Sequence, residues 1–426
     1  MNHTAAILDF AAAPHLLPPQ VRDHALRLLG DTLAVGAAGA HSPEAATLRS
    51  ATRDADQSQT ARCLDTGRST PASAAFYNGF AIHCLEWDAV HEGAVVHALS
   101  TATAALLAVS DRMGGSEPDA FLTALAVGVD VASGLGLAAS GAMKFFRPAT
   151  AGVIGAALAV ARLEGLPADR FADVLGFAYS FAGGTMQAHA EASIALPLQI
   201  ARAAEAAVRA ADLAGSGLVA PHDVLEGLFG YAALIEPLDL ARYTRDLGRI
   251  WRIAEVSVKP FPSGRASHGA LGALQDLRAS GQISLETVSA IELLAPPLIH
   301  RLVGRPYQAS AAASYNRLCL AFLAPLMLRD GHIDPRIAET IPALAGQVRV
   351  RLDDNPDVNA LAPQRLRIIL HDGTVIEQPI PHTLGSPEAP LSQAQAAEKL
   401  ALCRELAGNA DPRIFTAPLD YATDPR

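Results

Sequence analysis

Apolar residues recur every three or four positions through the segment DAFLTALAVGVDVASGLGLAA, residues 119–139. This spacing is typical of an α-helix that buries one face. Residues 21–40, VRDHALRLLGDTLAVGAAGA, repeat the pattern, and the helical texture extends from Pro19 to about Leu240. Alanine and glycine on interior faces allow close helix packing. The sequence therefore predicts a mainly α protein.

The pattern changes near Trp251, where residues 253–262, IAEVSVKPFP, alternate like a β-strand. Strand-like alternation returns in three later segments: 288–295, 347–354 and 365–380. The last of them contains the Asp-Gly pair at 372–373, which is a hairpin signal. We therefore predict a large all-helical domain, residues 1–252 plus 392–426. A smaller α+β lid domain, residues 253–391, is predicted to be inserted before the C-terminal helix.

The composition limits the classes of partner. The 426 residues carry a formal net charge of −10 and no Lys/Arg run, so we expect no nucleic-acid partner. An acidic protein that binds an acidic substrate needs cations gathered at the site. The cysteines are far apart in the sequence and form no CxxC pair, which argues against a disulfide framework or a structural zinc site.

The sequence also indicates a cytoplasmic location. We find no basic start followed by an apolar segment and a small-residue cleavage site, the pattern of a secretory signal. The longest uncharged and mostly apolar runs, such as 98–109 and 152–161, are too short to span a bilayer. We therefore expect no membrane association.

Titratable residues are concentrated in NGFAIHCLEWDAVHEGAVVH, residues 78–97, with three histidines and three carboxylates. Gly93 and the β-branched pair at 95–96 predict a break that places His97 near the start of the next helix. A helix N-terminus offers free N–H groups to a substrate carboxylate. Asp88 and His91, three residues apart, could fix each other's protonation state.

Two other interpretations of this segment stay open. Histidines with nearby acids can mimic a metal site, although the segment has no HExxH-like pair. The segment could also be a solvated helix end whose histidines have ordinary partners.

Cations that suit carboxylate recognition occur in three other places. Lys144 and Arg147 come just before Pro148 and an apolar helix, and arginine can bind a carboxylate with two hydrogen bonds. The alternative is a solvated pair of loop cations.

A second group surrounds the Pro-Ser-Gly turn at 262–264, where Lys259, Arg265 and His268 combine two cations with a base. The third signal is weaker: Tyr315 and Arg317 begin an otherwise apolar helix.

Cofactor and nucleophile motifs are missing, since we find no GxGxxG after a strand, no GxxxxGK[ST] and no GxSxG. We therefore expect acid–base chemistry without a cofactor.

Residues 78–97 resemble the NG-x-x-x-H-x-L-D-[FW]-D-D-x-H stretch, ending in a further His, of the MmgE/PrpD family. That family includes 2-methylcitrate dehydratase, cis-aconitate decarboxylase and iminodisuccinate epimerase. The resemblance continues, in family order, through residues 145–166, 201–231 and 258–271. It implies a helical domain with an α+β lid, an active site in the cleft between them, a homodimer and chemistry without metal.

The resemblance also implies site residues. Asp88 matches the family's active-site aspartate, His97 the histidine that closes the motif, His268 the histidine after the K-x-[YF]-P turn, and Lys259 the lysine of that turn. Three positions depart from the family pattern. Arg147 replaces an active-site histidine, Leu196 replaces a lysine, and Arg317 occupies the place of a tyrosine unless a register shift puts Tyr315 there.

We therefore predict an enzyme that abstracts a proton α to a carboxylate of a small di- or tricarboxylic acid. The catalytic residues are Asp88, His97 and His268, with the two histidines as base and acid. The predicted substrate-binding residues are His91, Lys144, Arg147, Lys259, Arg265, Tyr315 and Arg317. The main hypothesis is a lyase, either a dehydratase or a decarboxylase.

Three alternatives remain. An epimerase or isomerase of the iminodisuccinate epimerase type would need two opposed acid–base groups, which His97 and His268 could supply. A non-catalytic carboxylate-binding protein is a second alternative, and a metal-dependent hydrolase that uses His91 and His97 is a third.

Overall fold

The computed structural model describes residues 2–51, 60–336 and 343–426. Up to Thr244 the described chain is mainly helical, with one short antiparallel ribbon of β1 (Ala61–Arg62) and β2 (Arg68–Ser69). The helices of this part are, in chain order, α1 (His3–Ala12), α2 (Pro19–Ala40), α3 (Pro43–Ala51), α4 (Pro71–His83), α5 (Ala98–Arg112), α6 (Pro118–Ala138), α7 (Arg147–Leu163), α8 (Phe171–Phe181), α9 (Gln187–Ala190), α10 (Ala195–Gly215), α11 (Tyr231–Leu234) and α12 (Ala241–Thr244). The mainly α prediction is confirmed.

Local sequence explains where several helices begin. Proline occupies one of the first two positions of α2, α4, α6 and α7, where its missing N–H removes no helical hydrogen bond. The α4 helix is capped as well, because the Thr70 hydroxyl accepts a hydrogen bond from the Ser73 N–H.

Small residues let α6 and α7 pack in direct contact. A Cβ atom added at Gly155 would lie only 2.2 Å from the carbonyl oxygen of Gly128. A larger residue at this crossing would therefore force the two helix backbones apart.

The α6 helix has 21 residues and a mean hydropathy of 1.8 in its most apolar window, so by length and composition it could cross a membrane. The helix was predicted from its apolar period, but it was not counted among the uncharged apolar runs because Asp130 interrupts it. In the structure 89% of that window is buried inside the protein. The apolar surface of α6 is therefore covered by the protein itself.

The second part of the chain combines helices with a four-stranded sheet. Its elements are α13 (His268–Ala279), β3 (Val288–Ala295), α14 (Pro297–Val303), α15 (Ala313–Asn316), α16 (Leu320–Asp330), β4 (Val348–Leu352), β5 (Gln364–Leu370) and β6 (Val375–Ile380). The strand order is β4-β3-β5-β6, with β3 and β4 parallel and the other two pairs antiparallel. The Asp-Gly turn joins β5 to β6, as predicted, with Gly373 at φ 86°.

The strand predicted at residues 253–262 is wrong. A 3-10 turn occupies Arg252–Glu255, and Ser257 makes an isolated bridge with Val90. Pro260 and Pro262 cannot donate backbone hydrogen bonds, so this segment could not form a regular ladder beyond that bridge.

The C-terminal helices return to the first part. They are α17 (Gln393–Leu406), α18 (Arg413–Thr416) and α19 (Pro418–Thr423), and all three contact α2. The described chain thus ends in three helices where the sequence predicted one. A capping box between Ser392 and Gln395 starts α17.

Buried apolar side chains form two separate cores. One is built from the helices before Val256 together with the C-terminal helices, and the other lies mainly between Phe261 and Ile380. Met143 packs in the second core, and Leu318 packs in the first, so each part inserts a side chain into the other. That the α+β part acts as a lid stays a prediction, as do the domain boundaries.

Candidate active site

The carboxyl end of α4, the loop after it and the start of α5 contribute to a small cavity of ≈ 60 Å³. The start of α7, the segment around α9 and residues 264–266 also contribute to its walls. The ionisable side chains that line it are His83, Glu86, His97, His189 and Arg265. Apolar side chains line most of the rest, among them Val90, Val95, Met143, Phe146, Met186, Leu196, Leu302, Leu318 and Leu361.

The loop between α4 and α5 holds its side chains through an unusual backbone. His83 is the last residue of α4, and His97 lies directly before α5, as predicted. Glu86 and Val95 each have φ 54°, a left-handed conformation that residues other than glycine rarely adopt. Strained backbone of this kind persists where the surrounding structure imposes it, and it is concentrated at functional sites.

Asp88 is fully buried at the centre of the ionisable residues. His83 Nδ1 lies 3.0 Å from both of its carboxylate oxygens, and His97 Nδ1 lies 3.0 Å from Oδ2. The Ser100 hydroxyl donates a short hydrogen bond to Oδ2, and Lys259 Nζ is 3.9 Å from Oδ1. The carboxylate therefore orients two imidazole rings and balances nearby positive charge.

The charges around Asp88 stabilise one another. Burial alone would raise the pKa of the Asp88 carboxyl, but the His83 imidazolium, the largest opposing effect, helps to hold that pKa well below its usual range. Burial alone would lower the pKa of His83, but Asp88 and Glu86 outweigh it and raise that pKa to about 9. His83 is therefore cationic at neutral pH and Asp88 is anionic.

His97 has the opposite protonation state. Burial lowers its pKa and Lys259 lowers it further, while Asp88 opposes both effects. The contact of its Nδ1 with Asp88 has the distance of an ion pair but not the alignment of a hydrogen bond. With Nδ1 next to the carboxylate, Nε2 is the ring nitrogen left to reach a substrate. His97 is thus a neutral base with an anion behind it.

His268 is fully buried and is not among the side chains that line the cavity. Its Nε2 lies 3.1 Å from both the hydroxyl and the carbonyl oxygen of Ser263, and its Nδ1 lies 3.4 Å from Arg265 Nη1. Burial, followed by Arg265 and Lys259, lowers its pKa well below the usual range. The structure places His268 behind Arg265, and its catalytic role stays a prediction.

Lys259 and Arg265, predicted to bind carboxylates, are paired with acids of the loop. Lys259 Nζ donates to the carbonyl oxygen of Glu86 at 2.9 Å and lies 3.2 Å from its Oε2. Arg265 Nη2 lies 2.7 Å from Glu92 Oε1. Of the two, Arg265 lines the cavity, and its guanidinium is bonded to Glu92 and to the carbonyl oxygens of Thr383 and Leu384.

Arg147 and His91 line a different and larger cleft of ≈ 670 Å³. Arg147 is buried, and its Nε donates to the two carboxylate oxygens of Glu236 at 2.9 and 3.0 Å. His91 Nε2 lies 3.0 Å from Glu255 Oε2. Because each has a partner within the protein and faces another space, the structure does not bring them together with His97 in the small cavity.

Arg317 lies in a narrow space that adjoins the cavity and shares His83 and Glu86 with it. Its Nη1 lies 3.3 Å from Glu44 Oε1. Its Nε is buried and finds no hydrogen-bond acceptor within the part of the chain that the structure describes. Arg317 therefore lies beside the cavity, and its guanidinium also bonds to the carbonyl oxygens of Cys84 and Pro335.

Tyr315 and Lys144 are farther from the cavity lining. The Tyr315 hydroxyl donates to the carbonyl oxygen of Pro306 at 2.6 Å, and its ring stacks beneath the Arg305 guanidinium. Lys144 is exposed. Neither Tyr315 nor Lys144 lines the cavity. Tyr315 and Arg317 were the two candidates for the family's tyrosine position, and Arg317 is the nearer of these two to the site.

The sequence analysis missed two histidines of the cavity. His83 could have been found, because it occupies the histidine position of the N-G-x-x-x-H pattern. His189, in α9, has no such local signal. Burial first, and then Arg305, lowers the pKa of His189 to about 4.

His83, Asp88 and His97 offer ligand atoms that lie within 4.8 Å of one another, close enough for a metal ion. Both imidazoles, however, direct Nδ1 at the carboxylate, and Lys259 Nζ stands 3.9 Å from it. An ammonium at this distance repels a metal cation, and it already compensates the anion. These residues therefore suit acid–base chemistry better than metal binding.

Comparison with known proteins agrees with this arrangement. The model of the MmgE/PrpD N-terminal domain matches residues 7–241, and that of the MmgE/PrpD C-terminal domain matches residues 261–413. The chain is 27% identical to the cis-aconitate decarboxylase of Homo sapiens over 359 residues, which cover 78% of this chain and 72% of that protein. It is 27% identical to the enzyme of the same name from Mus musculus over 372 residues, 79% of this chain and 74% of that protein.

A third relative is the cis-aconitate decarboxylase-like protein oryM of Aspergillus oryzae, 28% identical over 298 residues, which cover 65% of this chain and 62% of that protein. The two family models together span the helical part, the cavity and the α+β part. The chain therefore belongs to the MmgE/PrpD family.

Proposed function

We propose that this protein is a lyase that abstracts the proton α to a carboxylate of a small carboxylic acid and releases water or carbon dioxide. The observation that carries the proposal is the neutral imidazole of His97 in a mostly apolar cavity, backed by the anionic Asp88. The similarity to cis-aconitate decarboxylases supports the lyase class. A di- or tricarboxylic acid is the substrate that we expect.

The geometry suits proton transfer in the following way. His97 Nε2 takes the proton, and the electron pair of the broken C–H bond moves toward the substrate carboxylate, which becomes an enediolate. Asp88 stabilises the imidazolium that forms. In a dehydratase, the β C–O bond then breaks and the hydroxyl leaves with a proton as water. In a decarboxylase, the His97 imidazolium first returns the proton to another carbon of the conjugated enediolate. The C–C bond to a carboxylate then breaks, carbon dioxide leaves, and the carbon that keeps the electron pair takes a proton from solvent.

Arg265 is the cation among the residues that line the cavity, and its guanidinium is already bonded to Glu92 and to the carbonyl oxygens of Thr383 and Leu384. We expect a substrate carboxylate to meet its positive charge rather than a free N–H group. Its bond to Glu92 fixes the direction of the planar group. Low polarity around the site strengthens such a contact, because little water competes with it.

The test is deuterium exchange in D₂O with cis-aconitate, citrate and 2-methylcitrate as separate substrates. We expect the wild-type protein to incorporate deuterium at carbon with at least one acid and to release water or carbon dioxide. His97→Ala should lower that rate by about 10²–10⁴-fold, while His332→Ala, at an exposed position, should keep it.

An unchanged exchange rate in His97→Ala would refute the assignment of His97. Exchange with inversion and without loss of a group would instead identify an epimerase. A rate that a metal chelator abolishes would contradict metal-independent chemistry.

A further inference from the structure

We infer that His189 is a second functional imidazole of this site, a neutral hydrogen-bond donor that binds the substrate carboxylate through Nε2–H. The inference rests on the proposed function, because it assigns a group that stabilises the enediolate. His189 lines the same cavity as His97 and is itself buried, with an exposed fraction of 7%.

His189 reaches the cavity from a different element than the other two imidazoles. His83 and His97 flank the α4–α5 loop, whereas His189 belongs to α9. Its neighbours along this segment, Met186 and Leu196, line the cavity with apolar side chains. Among the residues of this segment that line the cavity, His189 is therefore the one with a polar side chain to offer to a substrate.

The position of its proton follows from Arg305. Arg305 Nη2 donates to the carbonyl oxygen of His189 at 3.0 Å and lies 3.5 Å from its Nδ1. The same Arg305 nitrogen lies 3.4 Å from the carbonyl oxygen of Leu302. Because a guanidinium has only donors, a proton on Nδ1 would point at another donor, so this contact favours the tautomer with the proton on Nε2. Nε2 has no hydrogen-bond partner within residues 2–51, 60–336 and 343–426, so it is available to a ligand.

The charges around His189 keep it neutral. Its pKa is lowered to about 4 by burial, by Arg305, and more weakly by Arg301 and His83, while Glu86 opposes them. At pH 6–8 such a ring is a weak base but a good donor, because it keeps its proton when charge develops beside it. When His97 removes the α proton, the hydrogen bond from His189 Nε2–H to the substrate carboxylate becomes stronger. His189 keeps its proton throughout.

The site needs such a donor because its cations are already compensated. Lys259 is paired with Glu86 and Arg265 with Glu92, and both pairs are present before any substrate enters. When His97 removes the α proton, a second negative charge develops on the substrate carboxylate. A preorganised donor directed at that oxygen stabilises this charge in the transition state more than in the ground state.

The first experiment compares His189→Leu with His189→Gln, using the acid that the wild-type protein turns over fastest among cis-aconitate, citrate and 2-methylcitrate. We expect His189→Leu to lower kcat by about 10²–10³-fold with a much smaller change in KM. His189→Gln, which keeps an N–H donor, should recover part of the loss. His332→Leu, at an exposed position, is the matched control.

A His189→Leu variant that folds and keeps kcat within about threefold of wild type would overturn the inference, since one lost donor costs far more. Circular dichroism and thermal unfolding decide whether each variant is folded. If His189→Leu does not fold, His189→Gln and the following measurement on the wild-type protein still decide the question.

The second experiment needs no turnover. In ¹⁵N NMR spectra of histidine-labelled protein between pH 6 and 8, the signals assigned by comparison with His189→Gln should be those of a neutral ring protonated at Nε2. A ring protonated at Nδ1, or a cationic ring, would overturn the inference. If the wild-type protein turned over none of the acids, the proposed function would be refuted. The NMR measurement of the His189 tautomer would still test the protonation state that we infer for His189.

Discussion

His83 carries a positive charge at neutral pH because two carboxylates hold it. Its pKa is raised from about 6.5 to about 9, so the folded state binds this proton more tightly than the unfolded state does. The stabilisation is therefore complete below about pH 6.5 and is lost as the pH rises through about 9. This difference between the pKa of His83 in the folded and unfolded states corresponds to at most about 3 kcal/mol in the free energy of unfolding.

We predict that His83→Asn removes this dependence, because asparagine does not titrate. The free energy of unfolding of the wild-type protein should fall between pH 6.5 and 9 by up to about 3 kcal/mol relative to that of the variant. Urea unfolding at several pH values measures both. His332→Asn, at an exposed histidine, should behave like wild type, and equal slopes in all three proteins would contradict the prediction.

Residue types and motif spacing identified a segment whose ionisable side chains lie together in the structure, but they did not show which cations are paired with acids. Asp88 and His97 are close in the sequence, and their side chains are also in contact in the structure. Arg147, in contrast, pairs with Glu236, and Arg317 with Glu44. Both partners are far away in the sequence, so only the folded chain reveals them. His189 could not be identified from sequence for the same reason. Its low pKa results from burial and from Arg305, which is far away in the sequence.

At the scale of elements, the crossing of α6 and α7 depends on two glycines. A Cβ at Gly155 would lie 2.2 Å from the Gly128 carbonyl oxygen, far inside van der Waals contact. We predict that Gly155→Ala lowers the free energy of unfolding by about 1–3 kcal/mol, because the helices must separate to admit the methyl group. Urea unfolding monitored by circular dichroism measures the change.

Gly272→Ala is the matched control for that substitution. Gly272 also lies inside a helix, α13, but a Cβ there would meet only Leu384 Cβ at 3.7 Å, an ordinary contact. Alanine should therefore be neutral or stabilising by up to about 1 kcal/mol, through helix propensity. Equal losses of stability in the two variants would show that the tight crossing is not what makes Gly155 necessary.

Helices were predicted well from sequence because their apolar period is local, as α2 and α6 show. The segment at 253–262 has the alternation of a strand but lacks a partner strand. Pairing depends on distant residues, so alternation alone could not decide whether a ladder forms. The β5–β6 hairpin was predictable because its turn residues lie between its own strands.

At the scale of the whole molecule, the cavity lies where the two cores meet. Glu86 and Glu92 come from the helical part, and their partners Lys259 and Arg265 come from the segment that leads into the α+β part. These ion pairs connect the two parts beside the site. A shift of one part against the other would therefore change the cations that a substrate meets.

One surface of the helical part exposes large apolar side chains beside α8: Leu218, Val219, Leu228, Phe229 and Leu234. The Tyr179 hydroxyl of α8 donates to the carbonyl oxygen of Phe229 at 2.5 Å, and Gly176 of α8 approaches the carbonyl oxygen of Pro221. Both exposed segments are thus held against the same helix. Several large apolar side chains exposed beside one helix are a feature that protein interfaces often have.

The resemblance to the MmgE/PrpD family implies a homodimer, and we expect this apolar surface to be buried between two copies of the chain. Phe229→Glu would place two charges in that interface and should weaken the dimer by at least about 30-fold, equivalent to about 2 kcal/mol. Sedimentation velocity over a range of micromolar concentrations measures the change. Leu352→Glu, at an exposed position of β4 in the α+β part, should leave the dimer intact. A monomeric wild-type protein would refute the dimer, and a Phe229→Glu variant that dimerises as tightly as wild type would place the interface on another surface.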